Sequence, residues 1–371
     1  MNEHTIARMN MRPGVLVLAD GAEFEGELFG AELPAAAGEV VFNTALSGYQ
    51  EVLTDPSYAG QIVTFTNPHI GNYGVNRKDF ESIRPFCRGV VVRELARRHS
   101  NQRAQAGLGE LLTRYGISGI GGIDTRRLTR LLRDTGAMAG AFGTATEAEL
   151  RTAATAEPGT DGIDLVATVT TAEPYTVPAT NGAPRRIVAY DYGIKRTILR
   201  HLATLGTVDV VPARTPAEEA LARQPDGIFL SNGPGDPSCV DAATDIIAGL
   251  LGSPVPVFGI CLGHQLLAAA LGGTTVKLPF GHHGANHPVQ EVATGRIEIT
   301  SQNHNFAVAA DDMTSFATIT HVNLNDGVCE GFDAIHANAF SVQHHPEAGP
   351  GPHDSAFLFV RFAERMAGGA P

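Results

Sequence analysis

The 371-residue chain is poor in the features that mark several large protein classes. Its four cysteines, Cys87, Cys239, Cys261 and Cys329, are scattered and form no CxxC pair. That pattern argues against a disulfide framework or a structural zinc site and makes a reducing cytoplasm the expected location. No apolar run approaches the ~20 residues that a membrane span requires. The start, Met1-Asn2-Glu3-His4, is polar and lacks the apolar core of a signal peptide. Positive charge is also scarce: the net charge is −12 and the pI about 5.6, which points away from nucleic acid and anionic membranes. The most basic stretch, Arg93 to Arg103, contains Glu94 and reads as a solvated helix face. No internal repeat is present, and no Gly-x-x-x-x-Gly-Lys-Ser/Thr loop for a nucleotide.

What is present is an ordinary globular composition, 43% hydrophobic and 18% charged, in a chain long enough for two or three cores. Gly14 to Leu18 reads as a strand, followed by the hairpin signal Asp20-Gly21 and further strands at Glu39–Thr44 and Gln61–Thr66. Between these last two, residues 45–58 read as a polar loop. Asp124 as N-cap, a Leu128/Leu131/Leu132 stripe and Gly136 as terminator predict a helix. Residues 1–142 thus read as a mixed α/β domain. Residues 143–185, rich in Ala, Thr, Pro and Gly, read as a linker with a short helix near Glu147 to Ala156. From 186 to 371 short apolar runs alternate with helical patterns, which predicts a doubly wound α/β domain with an open, mostly parallel sheet. Ligands of such sheets bind off the carboxyl ends of the strands. The turns at Gly233–Gly235 and Gly259–Gly263 fall on that edge.

The sequence Val257-Phe258-Gly259-Ile260-Cys261-Leu262-Gly263 places a thiol between two glycines where a strand gives way to a helix. This is the cysteine counterpart of the Gly-x-Ser-x-Gly nucleophile elbow; a buried thiol at a packed strand end is the alternative. A nucleophile needs a base and an orienting group. His345-Pro346-Glu347 supplies both types, and in an extended tripeptide the first and third side chains share a side. A simple turn is the competing reading, with His344 on the other face in a structural role. Ten of the fourteen histidines follow residue 260, including His282, His283 and His287, so metal ligation is a further option, though the short repeated spacings of known sites are missing.

Together, Asn232-Gly233-Pro234-Gly235-Asp236-Pro237, Gly259 to Gln265 and His345-Pro346-Glu347 resemble the class I (triad) glutamine amidotransferase domain. Leu46-Ser47-Gly48-Tyr49-Gln50-Glu51, Asp55-Pro56-Ser57-Tyr58, Asn67 to Asn72, Asp191 to Lys195, Phe280 to Pro288 and Gly351 to Asp354 are similar to the small, glutamine-hydrolysing chains of carbamoyl-phosphate synthases. The resemblance implies Cys261 as nucleophile, His345 as base and Glu347 as its orienting carboxylate. It implies L-glutamine binding by Ser47, Gly233, Gly235, Leu262, Gln265, Asn303, Asn305 and Phe306, with Ser47 reaching across from the first domain. Asn305 stands where the family usually has glycine, and asparagine is the non-glycine residue that best tolerates positive φ.

The histidines then need no metal, and no cofactor is expected in this chain. ATP and Mg2+ belong to an implied large-subunit partner, which would use the ammonia for arginine and pyrimidine synthesis in a heterodimer able to assemble further. A stand-alone Cys-His-Glu hydrolase is the alternative, and a scaffold with an inactive triad a third reading.

Overall fold

The computed structural model describes residues 12–368, apart from the side chains of 310–312; the polar start of the chain lies outside the described residues. The chain forms two compact units, each discontinuous in sequence. The first comprises 1–43, 61–79 and 87–159, and the second 44–60, 80–86 and 160–371. The segment read as a linker is therefore shared: its helix, Glu147–Ala156, belongs to the first unit, and 160–185 belong to the second. Among the described residues no helix is long and apolar enough to cross a membrane.

The first unit is built on a closed barrel whose strands run in the order Arg12–Leu18, Glu23–Gly30, Ser118–Gly121, Gly89–Val91, Gln61–Phe65, Ala36–Asn43 and Met138–Phe142. Closure removes the unpaired edges that an open sheet exposes. Leu16, Leu18, Val40, Ile62, Val91, Ile120 and Phe142 form its core together with Leu128 and Leu132 from the helix Thr125–Thr135. That helix begins as expected. The Asp124 side chain accepts from Arg127 N at 3.0 Å, and Gly136 ends it at φ 97°. The stretch Arg93 to Arg103 is not a helix. It holds the short strand Glu94–Leu95 and turns, exposed for most of its length.

The second unit carries a 10-stranded sheet. Gly206–Pro212, Arg185–Asp191, Gly227–Leu230, Val257–Ile260 and Ala339–Val342 lie side by side and parallel. Tyr175–Val177 adds antiparallel at one edge. On the other side Cys329–Ala334, Ile297–Val308, Thr275–Glu291 and Ala317–Asn323 continue the sheet antiparallel. The chain moves outward from Arg185–Asp191 to Gly206–Pro212 and then crosses to Gly227–Leu230, so the order reverses at Arg185–Asp191, the kind of point where open α/β sheets bind ligands. Val188, Tyr190, Ile228, Leu230, Val257 and Leu266 fill one face, and Ile187, Phe229, Phe258, Phe340 and Phe362 the other. Residues 45–58, read as a loop, contain the helix Tyr49–Thr54 and a 3-10 turn Pro56–Tyr58.

Candidate active site

Four elements meet at the carboxyl edge of the parallel strands. Val257–Ile260 ends at Cys261, whose backbone has φ 55° and ψ −107°. A non-glycine residue in that conformation is strained and is found where the surroundings over-determine it. Here its amide donates to the Val342 carbonyl at 2.9 Å, the next amide but one, Gly263, donates to Ser231 at 3.0 Å, and the helix Leu262–Ala270 starts at once. Both flanking glycines are required by contact. A Cβ on Gly259 would lie 2.7 Å from the Gly263 carbonyl oxygen, and one on Gly263 would lie 2.2 Å from that of Leu230. The elbow is therefore a packing solution in which only glycine lets strand and helix approach this closely. Cys261 Sγ is buried, 3.5 Å from the backbone oxygen of Asn303.

His345 and Glu347 follow the next parallel strand, Ala339–Val342. They are paired, Nδ1 to Oε1 at 2.7 Å, but not through an extended tripeptide. Ala348 N donates to the His345 carbonyl at 3.1 Å, so His-Pro-Glu is a β-turn with Pro346 at its second position, where the fixed φ of proline suits it. The turn and the pair, posed as alternatives by the sequence, coexist. Imidazole Nε2 is buried without a hydrogen-bond partner among the described residues.

Lys195, which sequence reasoning passed over, completes the group. It stands at the end of Asp191-Tyr192-Gly193-Ile194-Lys195, beyond the strand at the switch point, and is 2% exposed. Its Nζ donates to Glu347 Oε1 at 2.8 Å and to the Ala348 carbonyl at 2.7 Å. A lysine following a strand end beside a glycine was the available signal. Burial disfavours the charged form of Lys195; Glu347 first, then Asp55 and Glu81, outweigh this and hold it above the ordinary lysine value. Burial likewise disfavours the Glu347 carboxylate, yet Lys195 and His345 pull it down to about 2. For His345 burial opposes protonation, as does Lys195, but Glu347 and Cys261 outweigh them and raise its proton affinity. The arrangement is a buried Lys195–Glu347–His345 chain of paired groups whose last member feels Cys261 electrostatically.

The residues expected to bind a substrate are distributed around this point. Gly233 packs against Leu262: a Cβ there would lie 2.9 Å from Leu262 Cδ2 and 2.2 Å from the Tyr192 carbonyl oxygen. Gly235, at φ 87°, lies against Leu165. Gln265 Nε2 donates to the Phe306 carbonyl at 2.7 Å and to Gln343 Oε1 at 3.0 Å. Asn303 Oδ1 and Asn305 Oδ1 face the two ring nitrogens of His283, at 3.1 and 2.9 Å. Asn305 does not use its tolerance for positive φ. It lies inside Ile297–Val308 with ordinary backbone and is held by its side chain, which also donates to Thr160. Ser47 belongs to the same compact unit as Cys261 and is exposed on a loop whose next residue, Gly48, packs on Pro350.

Among the late histidines, His282 and His304 lie with Glu330 so that each brings a ligand-type atom within 4.8 Å of the others. Some of their polar atoms bond to neighbours, while His282 Nδ1 and Glu330 Oε2 are buried without a hydrogen-bond partner among the described residues. His304 bonds the Phe306 carbonyl at 2.7 Å and Gln302 Oε1 at 3.0 Å, and Glu330 Oε1 accepts from Gln302 and Asn323. His344 is fully buried with Nδ1 3.5 Å from Glu330 Oε2.

Comparison with known proteins identifies the family. The family model for the carbamoyl-phosphate synthase small chain, CPSase domain, matches residues 16–142, and that for glutamine amidotransferase class-I matches 188–365. The chain is 52% identical over 367 residues to the carbamoyl phosphate synthase small chain of Syntrophotalea carbinolica, covering 95% of this chain and 97% of that protein. It is 51% identical over 366 residues to the small chain of Thermus thermophilus, covering 95% and 93%. With that of Pseudomonas aeruginosa it shares 50% over 375 residues, covering 96% and 99%. A barrel unit, an amidotransferase sheet and near full-length identity at this level lead to one conclusion: the chain belongs to the carbamoyl phosphate synthase small chain family, whose members carry a glutamine amidotransferase domain.

Proposed function

We propose that Cys261, His345 and Glu347 hydrolyse L-glutamine to glutamate and ammonia. The observation that carries this reading is a buried thiol on a strained elbow, at the same sheet edge as an imidazole already locked to a carboxylate. His345 Nε2 takes the Cys261 proton as sulfur attacks the side-chain amide carbon of glutamine. The tetrahedral oxyanion is received by the backbone amides of Leu262 and the Gly233–Gly235 turn, a type of stabilisation worth several kcal/mol, on the order of 10²–10³ in rate per donor. The imidazolium then protonates the leaving nitrogen, the C–N bond breaks, and ammonia departs from a thioester. Water, deprotonated by the same imidazole, attacks the thioester, and the thiol is restored with glutamate released. Glu347 keeps Nδ1 protonated so that Nε2 is the nitrogen that accepts. Ser47, Gly233, Gly235, Leu262, Gln265, Asn303, Asn305 and Phe306 hold the substrate.

Ammonia passes through an internal channel to a large subunit, which combines it with bicarbonate and ATP to form carbamoyl phosphate for arginine and pyrimidine synthesis. The names of the relatives as small chains, and the missing nucleotide loop in this sequence, support the division of labour. In the assembled complex Cys261→Ser should abolish glutamine-dependent synthesis, by at least about 10³-fold, while ammonia-dependent synthesis persists. Loss of both activities together, or retention of the glutamine-dependent one, would refute the assignment.

A further inference from the structure

The segment 44–60 leaves the barrel's sequence to join the sheet unit, and it brings a buried carboxylate to the nucleophile. Asp55 is 3% exposed. Its Oδ2 accepts from Asn303 Nδ2 at 3.0 Å. Its Oδ1 accepts from Ser57 N at 2.9 Å and, at 3.4 Å, from Asn232 Nδ2, which also donates to Ser57 Oγ at 2.9 Å. Both asparagines lead directly to the chemistry. Asn303 presents its backbone oxygen to Cys261 Sγ, and its own Oδ1 faces His283. Asn232 opens the Gly233–Gly235 turn, and its Oδ1 accepts from the backbone amide of Lys195 at 3.2 Å.

An ionised carboxylate only accepts hydrogen bonds, so it dictates which end of each neighbouring amide turns toward it. Asp55 thereby sets the orientation of two carboxamides at once, one on the residue whose backbone oxygen meets the thiol and one before the glycine turn. From this geometry we infer that Asp55 is a positioning residue for Cys261: through Asn303 and Asn232 it holds the strand and the turn that flank the sulfur in their reactive arrangement. The inference rests on the reading of Cys261 as the nucleophile. A neutral amide at position 55 can donate as well as accept, so either asparagine is then free to turn over. The strand that carries the Asn303 carbonyl beside the thiol would lose a side-chain anchor, and so would the glycine turn. Asp55 also lies near enough to Lys195 to favour its charged form, together with Glu347 and Glu81, so its negative charge supports the same buried group.

The test is alkylation of Cys261 by iodoacetamide in the full-length chain, followed peptide by peptide so that the partly exposed Cys239 is scored separately, with melting temperature measured alongside. Asp55→Asn should slow alkylation of Cys261 by tenfold or more and glutamine turnover in parallel, with Cys239 unaffected. Asp55→Glu, which keeps an acceptor-only group, should recover part of both rates. Alkylation within twofold of wild type in a folded Asp55→Asn protein overturns the inference, as does an Asp55→Glu protein no faster than Asp55→Asn. Should Asp55→Asn fail to fold, Asn303→Ala removes the other end of the same bond; it is expected to slow Cys261 alkylation tenfold, and an unchanged rate overturns the inference. Iodoacetamide needs no glutamine chemistry. A wild-type chain that reacts with it but hydrolyses no glutamine would remove the proposed function and leave the role of Asp55 standing on its own result.

Discussion

The barrel and the sheet unit treat buried polarity in opposite ways. The barrel is filled by Leu, Val, Ile and Phe side chains from closed strands and one capped helix. Glu39, a buried carboxylate there, has Gln61 at its side. In the sheet unit Lys195, Glu347, Glu330, His264, His344 and His345 are all at or below 2% exposure, set among Gln265, Gln302 and Gln343. Ionised groups are very costly to bury unless paired and hydrogen-bonded. The buried pairs Lys195–Glu347 and Glu347–His345, at the carboxyl edge of the parallel strands, mark where the fold accepts that cost. The barrel owes its stability to shape and the site owes its form to charge, so the two regions should fail to different substitutions.

The largest effect is expected at Lys195. Lys195→Met leaves Glu347 buried with His345 alone, and breaking a buried pair costs about 3–5 kcal/mol. Glutamine hydrolysis should also fall, because Glu347 is no longer held for His345. A denaturation midpoint within about 1 kcal/mol of wild type would show that the pair behaves like a surface ion pair. In the barrel a comparable loss needs a cavity: Leu128→Ala should cost about 2–4 kcal/mol while leaving Cys261 alkylation per folded molecule unchanged. A change in that rate would break the separation between the two regions.

Acid offers a gentler version of the same contrast. Glu347 is held down to about 2 from an ordinary 4.5. A depressed carboxylate contributes stability that is present above its unfolded value and is lost as pH falls through its folded value. The urea midpoint should therefore drop between about pH 4.5 and 2, and Lys195→Met, which removes a main cause of the depression, should flatten that slope. Equal slopes in the two proteins would contradict the pairing. The smallest effect belongs to Asn305. Asn305→Gly deletes the bonds to His283 and Thr160 and is expected to cost about 1–2 kcal/mol; a gain in stability would show the family's usual glycine to be the better fit.

Much of this was legible in the residues because the signals are local. Gly259 and Gly263 around Cys261 announced a strand-to-helix turn, and Asp124, Leu128 and Gly136 announced a capped helix. His345-Pro346-Glu347 named a base and its partner, although the expected extended geometry proved to be a turn. Lys195 and Asp55 were harder to find. Each is separated by well over a hundred residues from the groups it serves, Glu347 and Asn303, and the motifs that contain them do not show which group each one pairs with. Asn305 was read through its backbone, whereas its side chain is what holds it.

The sequence alone determined the alternation of strands and helices in the second half and the family, and it singled out Cys261, His345 and Glu347 as the candidate nucleophile, base and carboxylate. Those depend on short motifs and periodicities that survive without knowledge of contacts. Tertiary structure decided that strands of the first half close into a barrel, that residues 44–60 join the sheet unit, and that Lys195 and Asp55 stand within bonding distance of the triad and its flanks. The physical reason is that burial and electrostatic pairing are properties of distance in space. A carboxylate becomes part of a site only when the fold removes its water and supplies a donor in its place.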